Sequence, residues 1–381
     1  MRIGIDYTAA ARQSAGIGRY TRELLTALLK ADPIAQHTLI LLAGTAGLGE
    51  KWDAEAARLR ALAPPGSLRL RSLPFTDDWM ARIWHRLRLP LPANAITGPI
   101  GLFYAPDFLL PPLVGPVRRW VTIHDLSFMR HPETFPPQLR DYLTDAVPRS
   151  ARRADHILTD SEWTRQDVVE LLGIPPSKVT ALHLGVSPAF TAEASPGERE
   201  ALARIYDLGA VPYVLAVGTV QPRKNYRRLI DAVEQVRASS EVDLVIAGGK
   251  GWLGEPILKA ARERPWVHML GFTPDQDLPA LYRQAAVLAF PSLYEGFGLP
   301  PLEAMACGTP VVASVASSVP EAVGTAGLLV DPLDTQALAS TLERALTDTA
   351  LRARLRAAGL ARAAEFTWSR TADEWLDLLN T

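Results

Sequence analysis

Short apolar runs alternate with longer amphipathic segments along the whole of this 381-residue chain. The runs have the length of buried strands, and the segments between them repeat their apolar residues at helical spacing. This alternation is typical of α/β proteins, in which helices connect the strands of parallel sheets. The predicted strands are Arg2–Asp6, Leu39–Ala43, Leu68–Ser72, Gly101–Ala105, Trp120–Ile123, His156–Thr159, Val179–Ala181, Tyr213–Val217, Val242–Ala247, Val267–Leu270, Val287–Phe290, Pro310–Ala313 and Leu328–Val330.

The periodicity weakens between Val186 and Val211, where Pro188, Pro196 and Gly197 occur. Because the chain is too long for one ordinary core, we interpret this stretch as a linker between two doubly wound domains. Two such domains facing each other would form a cleft to which both contribute. The predicted helices are Gly18–Lys30, Asp53–Ala63, Trp79–Leu89, Leu139–Ala154, Ser161–Leu172, Tyr226–Ala238, Gly254–Glu263, Leu278–Ala285, Leu302–Cys307, Pro320–Val323 and Thr335–Leu379, the last with a break at 366–369.

Composition excludes several classes of protein. A net charge of −1 argues against bulk binding of nucleic acid, and a single cysteine, Cys307, excludes a disulfide framework and a cysteine-rich metal site. Met1–Asp6 enters a strand pattern without the apolar region of a signal peptide, and prolines interrupt the nearly uncharged stretch Ala93–Val117. We therefore expect a cytoplasmic protein.

One stretch, Phe290–Ala304, combines a strand end, a glycine loop and the start of a helix, where Pro300 suits the first turn. Ligands of doubly wound sheets bind beyond the carboxyl ends of the strands, and free backbone N–H groups at a helix start attract anions. The sequence therefore predicts an anion site formed by the backbone of Phe297, Gly298 and Leu299.

A basic turn, Val217-Gly218-Thr219-Val220-Gln221-Pro222-Arg223-Lys224-Asn225, comes at the end of the first strand of the second half. At the same sheet edge as the glycine loop, Arg223 and Lys224 are suited to bind a diphosphate without a metal ion. The alternative is an exposed basic turn without a ligand, which is the commoner fate of such a pair. Placement at the same crevice as Glu295 and Glu303 favours the diphosphate site.

Gly16 and Gly18 open the first long helix and partly match a dinucleotide-binding fingerprint. Thr21 occupies the position of the third glycine, and about ten residues separate the pair from the strand that ends at Asp6. Two interpretations stay open. The pair either starts a helix from a loop or lets the backbone approach a phosphate closely.

His124 lies beside Asp125 at the carboxyl end of a predicted strand. A histidine at this edge of a sheet is suited to make a polar contact with a ligand or to act as an acid or base. It is equally suited to bond locally and stabilise the turn. The sequence leaves both interpretations open.

Asp275 and Asp277 form an Asp-x-Asp pattern of the kind that holds a divalent cation in some enzymes. They directly precede the apolar helix Leu278–Ala285, and acidic residues are favoured in a first helical turn by the helix dipole. We therefore predict no metal site here.

The segment Trp79–Leu89 has one apolar face and one basic face. It is either an interfacial helix that lies on a membrane or, more commonly, a helix whose apolar face is buried on its own sheet. The residues of the apolar face are Trp79, Met80, Ile83, Trp84 and Leu87.

Taken together, these motifs resemble those of the retaining glycosyltransferases of family 4, whose fold is GT-B. Glu295 and Glu303, with seven residues between them, match the E-x7-E signature of that family. The resemblance extends over essentially the whole chain. Its further motifs are the early glycine loop, His124-Asp125, Asp160-Ser161-Glu162, Gly185-Val186, the basic turn and Phe366-Thr367-Trp368.

The resemblance implies that residues 1–190 bind the acceptor, with a C-terminal helix at about 367–381 completing this domain, and that residues 191–366 bind a nucleotide-sugar donor. Its fold would be two Rossmann-like, doubly wound domains. Arg223 and Lys224 would then grip the donor diphosphate.

The other site roles follow from the same resemblance. Glu303 would accept hydrogen bonds from the ribose, Glu295 would contact hydroxyls of the transferred sugar, and His124 would lie beside that sugar near the reacting carbon. Thr219 occupies a position where some family members carry an arginine. The remaining donor contacts would come from Gly16, Gly18, Gly218, Thr219, Phe297, Gly298 and Leu299.

Within the family, Ile3-Gly4-Ile5-Asp6 and Pro132-Glu133-Thr134-Phe135 resemble the branch that contains many bacterial mannosyltransferases. This implies transfer of a hexose, mannose from GDP-mannose, to a saccharide or lipid-linked saccharide acceptor in surface polysaccharide biosynthesis. The transfer would retain the anomeric configuration and need no metal or other cofactor. Peripheral contact with the cytoplasmic face of the inner membrane is a further expectation.

Two other functions stay open at this point. One is a GT-B-fold epimerase of nucleotide sugars, and the other is a subunit that binds nucleotide sugars without catalysis. No nucleic-acid partner is expected.

Overall fold

The computed structural model describes residues 1–13, 16–87 and 89–380. It divides into two compact units, each built around one parallel sheet. The predicted domain boundary after residue 190 lies just inside the second unit. The first unit comprises Met1–Leu126, Asp141–Gly185 and the segment from Trp368 onward, and the second comprises Ser127–Arg140 and Val186–Thr367.

Every predicted strand is present, and its ends differ from the prediction by no more than two residues. These short apolar runs are buried by helices on both faces of a parallel sheet, which is why they are easy to detect in the sequence. The strands are β1 (Arg2–Asp6), β2 (Thr38–Gly44), β3 (Leu68–Leu73), β4 (Leu102–Ala105), β5 (Arg118–Ile123), β6 (His156–Thr159), β7 (Val179–Ala181), β8 (Tyr213–Val217), β9 (Asp243–Ala247), β10 (Val267–Gly271), β11 (Val287–Phe290), β12 (Val311–Ser314) and β13 (Leu328–Val330).

The two sheets share one topology. The order is β3-β2-β1-β4-β5-β6-β7 in the first unit and β10-β9-β8-β11-β12-β13 in the second. In both, the direction of winding reverses beside the first strand, between β1 and β4 and between β8 and β11. This is the doubly wound, Rossmann-like arrangement, so the predicted α/β class and the two Rossmann-like domains are confirmed.

The helices agree with the prediction less closely than the strands do. The long C-terminal pattern forms three helices, and the short helices at the starts of several loops contain too few residues to show a period. The helices are α1 (Thr8–Arg12), α2 (Ile17–Lys30), α3 (Glu50–Leu62), α4 (Asp77–Ala81), α5 (Ala93–Thr97), α6 (Ser127–Arg130), α7 (Pro137–Arg153), α8 (Glu162–Leu172), α9 (Glu198–Tyr206), α10 (Tyr226–Val236), α11 (Glu255–Arg262), α12 (Leu278–Gln284), α13 (Leu299–Ala306), α14 (Val319–Val323), α15 (Thr335–Thr347), α16 (Thr349–Ala363) and α17 (Trp368–Leu379).

The predicted linker contains a helix, α9, so the prediction of irregular chain was wrong there. Leu202 is the buried residue of α9, and one buried residue is too few to produce a visible period. An ion pair attaches this helix to α12. Glu198, at its first position, pairs with Arg283 of α12, and both side chains are largely buried.

The predicted helix Trp79–Leu89 is also different in the structure. It consists of α4 followed by one π-helical turn, Arg82–Arg86, and Arg88 lies outside the described residues. Met80 and Trp84 are buried as predicted, but Trp79 is 52% exposed and Leu87 is 65% exposed. The π turn shifts the helical spacing before Leu87, whereas Trp79 lies in α4 ahead of that turn, so the turn accounts for the exposure of Leu87 alone.

The segment Ser127–Arg140 leaves β5 and packs within the second unit. The Trp252 indole N–H donates to the carbonyl of Thr134 at 2.9 Å, and its ring lies 5.4 Å from that of Phe135. A single boundary along the sequence cannot describe such an exchange of segments.

The C-terminal helix α17 packs in the first unit, about Trp375. This side chain is fully buried, with its ring 5.6 Å from that of Tyr104 and 5.2 Å from that of Trp120. Thr371 anchors the helix further, because its hydroxyl donates to the carbonyl of His183 at 2.8 Å.

We expect Trp375→Ala to lower the free energy of unfolding of the first unit by about 3–5 kcal/mol, because it leaves a cavity beneath two aromatic rings. Calorimetry combined with hydrogen exchange of the β4 and β5 amides would measure the loss. Trp79→Ala is the matched control, since this exposed ring should change stability by less than about 0.5 kcal/mol. Equal losses in the two variants would contradict this account of the helix.

Candidate functional site

Three charged side chains meet at the carboxyl ends of β8 and β11. Arg223 and Lys224 end the turn after β8, in a short 3-10 helix, and Glu295 lies in the loop after β11. The Arg223 Nη1 donates to Glu295 Oε2 at 2.8 Å, and the Lys224 Nζ donates to Oε1 at 2.6 Å. We call Arg223, Lys224 and Glu295 the ion triad. The sequence predicted an anion site beyond the carboxyl ends of these strands, and in the sheet β8 and β11 are neighbours at the reversal of winding.

The ion triad is buried and fully charged. Glu295 is 8% exposed, and burial alone would raise its pKa, but the charges of Arg223 and Lys224 and a hydrogen bond from Ser292 lower that pKa to about 2. Two cations and one carboxylate leave a net positive charge. The arrangement is therefore suited to receive an anion.

Gly218 gives Lys224 its position. The φ of Gly218 is +144°, and a Cβ there would lie 3.1 Å from both Lys224 Cε and the Tyr226 hydroxyl oxygen. The Lys224 ammonium also lies 5.2 Å from the centre of the Phe290 ring, at the end of β11. The glycine predicted to contact the donor is thus required by the fold of the basic turn itself. The adjacent Thr219 is exposed.

Asn225 was not among the predicted site residues, yet it joins the basic turn to the glycine loop. Its side-chain amide donates to the carbonyls of Pro291 at 3.0 Å and Pro332 at 2.7 Å, and its oxygen accepts from Arg228 at 2.8 Å. It has a φ of +59°, a conformation that asparagine tolerates better than most residues. The sequence included Asn225 in the motif Pro222-Arg223-Lys224-Asn225 but gave it no role of its own.

Two serines form hydrogen bonds with the backbone of the glycine loop, and neither was predicted from the sequence. The backbone N–H of Glu295 donates to Ser317 Oγ at 2.8 Å. Ser318 Oγ donates to the carbonyls of Glu295 at 2.8 Å and Phe297 at 2.9 Å. Both serines come from the loop after β12, which no local pattern connects to Glu295.

The glycine loop ends at the start of α13, as predicted. Gly298 has a φ of +136°, and a Cβ on it would lie 3.2 Å from the Cβ of Ala322. Pro300 and Pro301 have no N–H group, so the predicted anion donors at this helix start are the backbone N–H groups of Phe297, Gly298 and Leu299, and their contact with an anion stays a prediction. The number of donors is smaller than at an ordinary helix start.

Glu303, the second carboxylate of the signature, is 2% exposed on α13. The Tyr282 hydroxyl donates to its Oε2 at 2.9 Å. Tyr282, on α12, was not predicted as a partner. The predicted contact between Glu303 and a ribose stays a prediction.

In the first unit, His124 is held by acceptors on both ring nitrogens. Its Nδ1 lies 2.8 Å from Asp160 Oδ2, and its Nε2 lies 2.8 Å from the carbonyl oxygen of Pro106. Carbonyl and carboxylate oxygens only accept, so both nitrogens carry protons. Burial would lower the pKa of His124, but Asp160 and the Pro106 carbonyl raise it to about 9. His124 is thus a cation bonded locally, which is one of its two predicted interpretations.

Gly18 has a structural explanation. A Cβ at this position would lie 2.3 Å from the carbonyl oxygen of Gln13 and 2.8 Å from that of Ala9, so the start of α2 can pack on α1 only as glycine. Gly16 precedes α2 with a φ of +59°. A role of this pair at a phosphate stays a prediction.

The Asp-x-Asp motif lies at the start of α12, as predicted. The Tyr206 hydroxyl donates to Asp277 Oδ2 at 2.6 Å, which connects α12 to α9. Within the described ranges, no group of three or more His, Cys, Asp or Glu side chains is arranged to hold a metal ion. Metal independence itself stays a prediction.

Two family models match the chain, one described as Glycosyltransferase Family 4 over residues 14–190 and one described as Glycosyl transferases group 1 over residues 200–362. O-antigen chain mannosyltransferase B of Escherichia coli is 33% identical over 379 residues, which cover 95% of each protein. The chain belongs to glycosyltransferase family 4. The predicted family and the predicted class of enzyme, a hexosyltransferase, are confirmed.

Solved structures extend the likeness to the fold of this glycosyltransferase. Sucrose-phosphate synthase from Thermosynechococcus elongatus matches with a TM-score of 0.75 and 20% identity, covering 100% of this chain and 98% of that one. WaaG, described as a glycosyltransferase involved in lipopolysaccharide biosynthesis, matches with a TM-score of 0.69 and 17% identity over 99% of each chain. The predicted GT-B fold is confirmed.

The cationic state of His124 in this glycosyltransferase predicts a pH dependence. Its pKa of about 9 in the folded protein exceeds the ordinary value, so folding retains a proton that the unfolded chain loses first. We expect protonated His124 to raise the free energy of unfolding at low pH. This contribution of about 1–3 kcal/mol should be lost as pH rises from about 6.5 to about 9.

An NMR titration of the imidazole would measure the midpoint, and calorimetry at pH 6 and pH 9 would measure the stability. His124→Gln should lose this part of the pH dependence, whereas His37→Gln, at a half-buried position beside the N-terminal amine, should keep it. A midpoint near 6.5 for His124 would show that the two acceptors do not hold it as a cation.

Proposed function

We propose that this glycosyltransferase moves mannose from GDP-mannose to a saccharide or lipid-linked saccharide acceptor in surface polysaccharide biosynthesis, with retention of the anomeric configuration. The observation that carries the proposal is the buried ion triad with its excess of positive charge at the carboxyl ends of β8 and β11. The choice of mannose is supported by the 33% identity to O-antigen chain mannosyltransferase B.

In this proposal the second unit binds the donor. Arg223 and Lys224 bind the diphosphate, helped by the backbone N–H groups of Phe297, Gly298 and Leu299. Glu303, oriented by Tyr282, accepts hydrogen bonds from the ribose. The remaining assignments are unchanged from the sequence: Glu295 contacts hydroxyls of the mannosyl group, and the first unit binds the acceptor.

The chemistry follows from where charge develops. Cleavage of the bond between sugar and phosphate places negative charge on the leaving GDP, and Arg223 and Lys224 are fixed where they stabilise it. We propose that this stabilisation replaces a metal ion. The acceptor hydroxyl attacks from the side that the phosphate leaves, and a phosphate oxygen takes its proton. His124, with both nitrogens already donating to Asp160 and to the Pro106 carbonyl, does not act as a base.

The donor is tested by thermal shift and by a transfer assay in the presence of a chelator. GDP-mannose should stabilise the protein more than UDP-glucose, since a ligand raises stability by mass action. Lys224→Ala should weaken binding of GDP-mannose by roughly 10- to 100-fold, the value of a hydrogen bond between charged groups. Lys250→Ala is the matched control, because this lysine is 69% exposed beside the same sheet edge.

Unchanged affinity in Lys224→Ala would rule out the proposed diphosphate site. Conversion of GDP-mannose to another nucleotide sugar without an acceptor would instead identify an epimerase. Loss of all transfer on chelation would contradict the metal-free mechanism, and an inverted product would contradict retention.

We also propose that the segment from Trp79 to Leu91 contacts the membrane surface. Trp79, Leu87, Leu89 and Leu91 are 52%, 65%, 41% and 55% exposed, an unusual density of apolar side chains for one short segment. Arg82 lies over the Trp79 ring at 5.5 Å, so a cation accompanies the apolar residues, as in segments that bind anionic lipid. Among the described residues, no helix has the length and apolar character needed to cross a membrane.

The combined variant Trp79→Ala and Leu87→Ala should reduce binding to phosphatidylglycerol vesicles by at least about tenfold, because both side chains would lose their apolar burial in lipid. Vesicle flotation measures the bound fraction, with phosphatidylcholine vesicles testing the contribution of charge. Trp163→Ala, another exposed tryptophan of the first unit, should bind as the unaltered protein does. The proposal is wrong if all three proteins bind vesicles equally.

A further inference from the structure

Glu295 forms ion pairs with both cations of the ion triad at the same time. Each of its carboxylate oxygens takes a different partner, with Oε2 at 2.8 Å from Arg223 Nη1 and Oε1 at 2.6 Å from Lys224 Nζ. The three side chains are only 10–12% exposed. Bonds this short between buried charges are stronger than those on a surface.

A phosphate group would meet the same donors. Carboxylate and phosphate oxygens are both acceptors, and both are negatively charged. A diphosphate that bonds to Arg223 and Lys224 therefore lies a few ångströms from the Glu295 carboxylate in a site with little water, where like charges repel strongly. Glu295 either shares the two cations with the diphosphate or gives them up.

Protonation does not relieve this conflict. The pKa of Glu295 is about 2, because Arg223 and Lys224 outweigh the effect of burial. The carboxylate keeps its charge at any pH at which an enzyme of this kind works. Its only other means of compensation is to accept hydrogen bonds from new donors.

In the proposed function, the transferred sugar supplies such donors to Glu295, and the product nucleoside diphosphate no longer carries that sugar. Hydroxyl groups of the transferred sugar can donate to the Glu295 oxygens when the intact donor binds, which compensates for the bonds that the cations give to phosphate. After transfer, the nucleoside diphosphate has lost the transferred sugar, and the carboxylate and the phosphate compete for the same two cations.

We propose that Glu295 acts as an internal competitor of the product, so that its charge weakens binding of the released nucleoside diphosphate more than binding of the sugar nucleotide. This inference rests on the proposed function of Arg223 and Lys224 as the diphosphate site. It adds a second role for Glu295, which lowers the affinity for the product and shortens its residence.

The test compares the affinities for GDP and GDP-mannose by calorimetry in the unaltered protein and in Glu295→Gln. Loss of the charge should tighten GDP binding by at least about fivefold, the effect of removing one nearby like charge. Binding of GDP-mannose should not tighten in parallel, kcat should fall, and inhibition by GDP should become stronger. If Glu295 only supported the fold, its substitution would weaken the binding of both GDP and GDP-mannose.

Two further variants separate charge from shape. Glu295→Asp keeps the charge with a shorter side chain, and its gain in GDP affinity should be smaller than that of Glu295→Gln. Glu255→Gln removes an exposed charge of the same unit and should leave both affinities unchanged. Thermal unfolding of each variant establishes that it is folded before ligands are compared.

The outcomes distinguish the inference from the function on which it rests. If Lys224→Ala weakens GDP binding while Glu295→Gln leaves it unchanged or weaker, the competition is refuted and the diphosphate site stands. Equal gains in Glu295→Asp and Glu295→Gln also refute it, since charge would then not be the cause. If Lys224→Ala does not weaken GDP binding, the proposed function itself fails.

Discussion

The pairing of two cations with one buried carboxylate is the interaction on which the second unit depends. None of Arg223, Lys224 and Glu295 is tolerated in a buried position alone, because an unpaired charge in the interior costs several kcal/mol. The protein therefore surrounds them with fixed supports. Gly218 leaves room for the lysine, and the hydroxyl of Ser317 accepts from the Glu295 backbone. These contacts join the loops after three different strands, β8, β11 and β12.

The same topology explains the first unit. His124 follows β5, Pro106 follows β4 and Asp160 follows β6, and these three strands are neighbours in the sheet. Their carboxyl ends bring an imidazole, a carbonyl and a carboxylate together, just as β8 and β11 bring the ion triad together. In both units the buried polar groups thus come from consecutive strand ends, where doubly wound sheets leave backbone and side chains available for ligands.

The sequence predicted correctly those features that a local pattern of residues encodes, namely the strands and the charged motifs beside them. Strands such as β8 and β11 are continuous apolar runs, and Arg223, Lys224 and Glu295 stand beside them in recognisable motifs. Contacts between distant segments have no such pattern. Ser317 and Ser318 support Glu295 from another loop, and α9 is attached by the ion pair between Glu198 and Arg283. Likewise, helical spacing placed Trp79 and Leu87 on one apolar face with Met80 and Trp84, but in the structure Trp79 and Leu87 are exposed.

Both candidate catalytic residues are charged and already bonded, which limits the chemistry that they can perform. His124 donates from both nitrogens, and Glu295 accepts from both cations, so neither can move a proton without first losing an internal bond. Such groups act through charge and position. A reaction that develops negative charge on a leaving phosphate needs fixed charges, which cost no reorganisation when the bond breaks. Internal hydrogen bonds hold these charged side chains in place. In the proposed mechanism, the proton is therefore transferred between the substrates themselves.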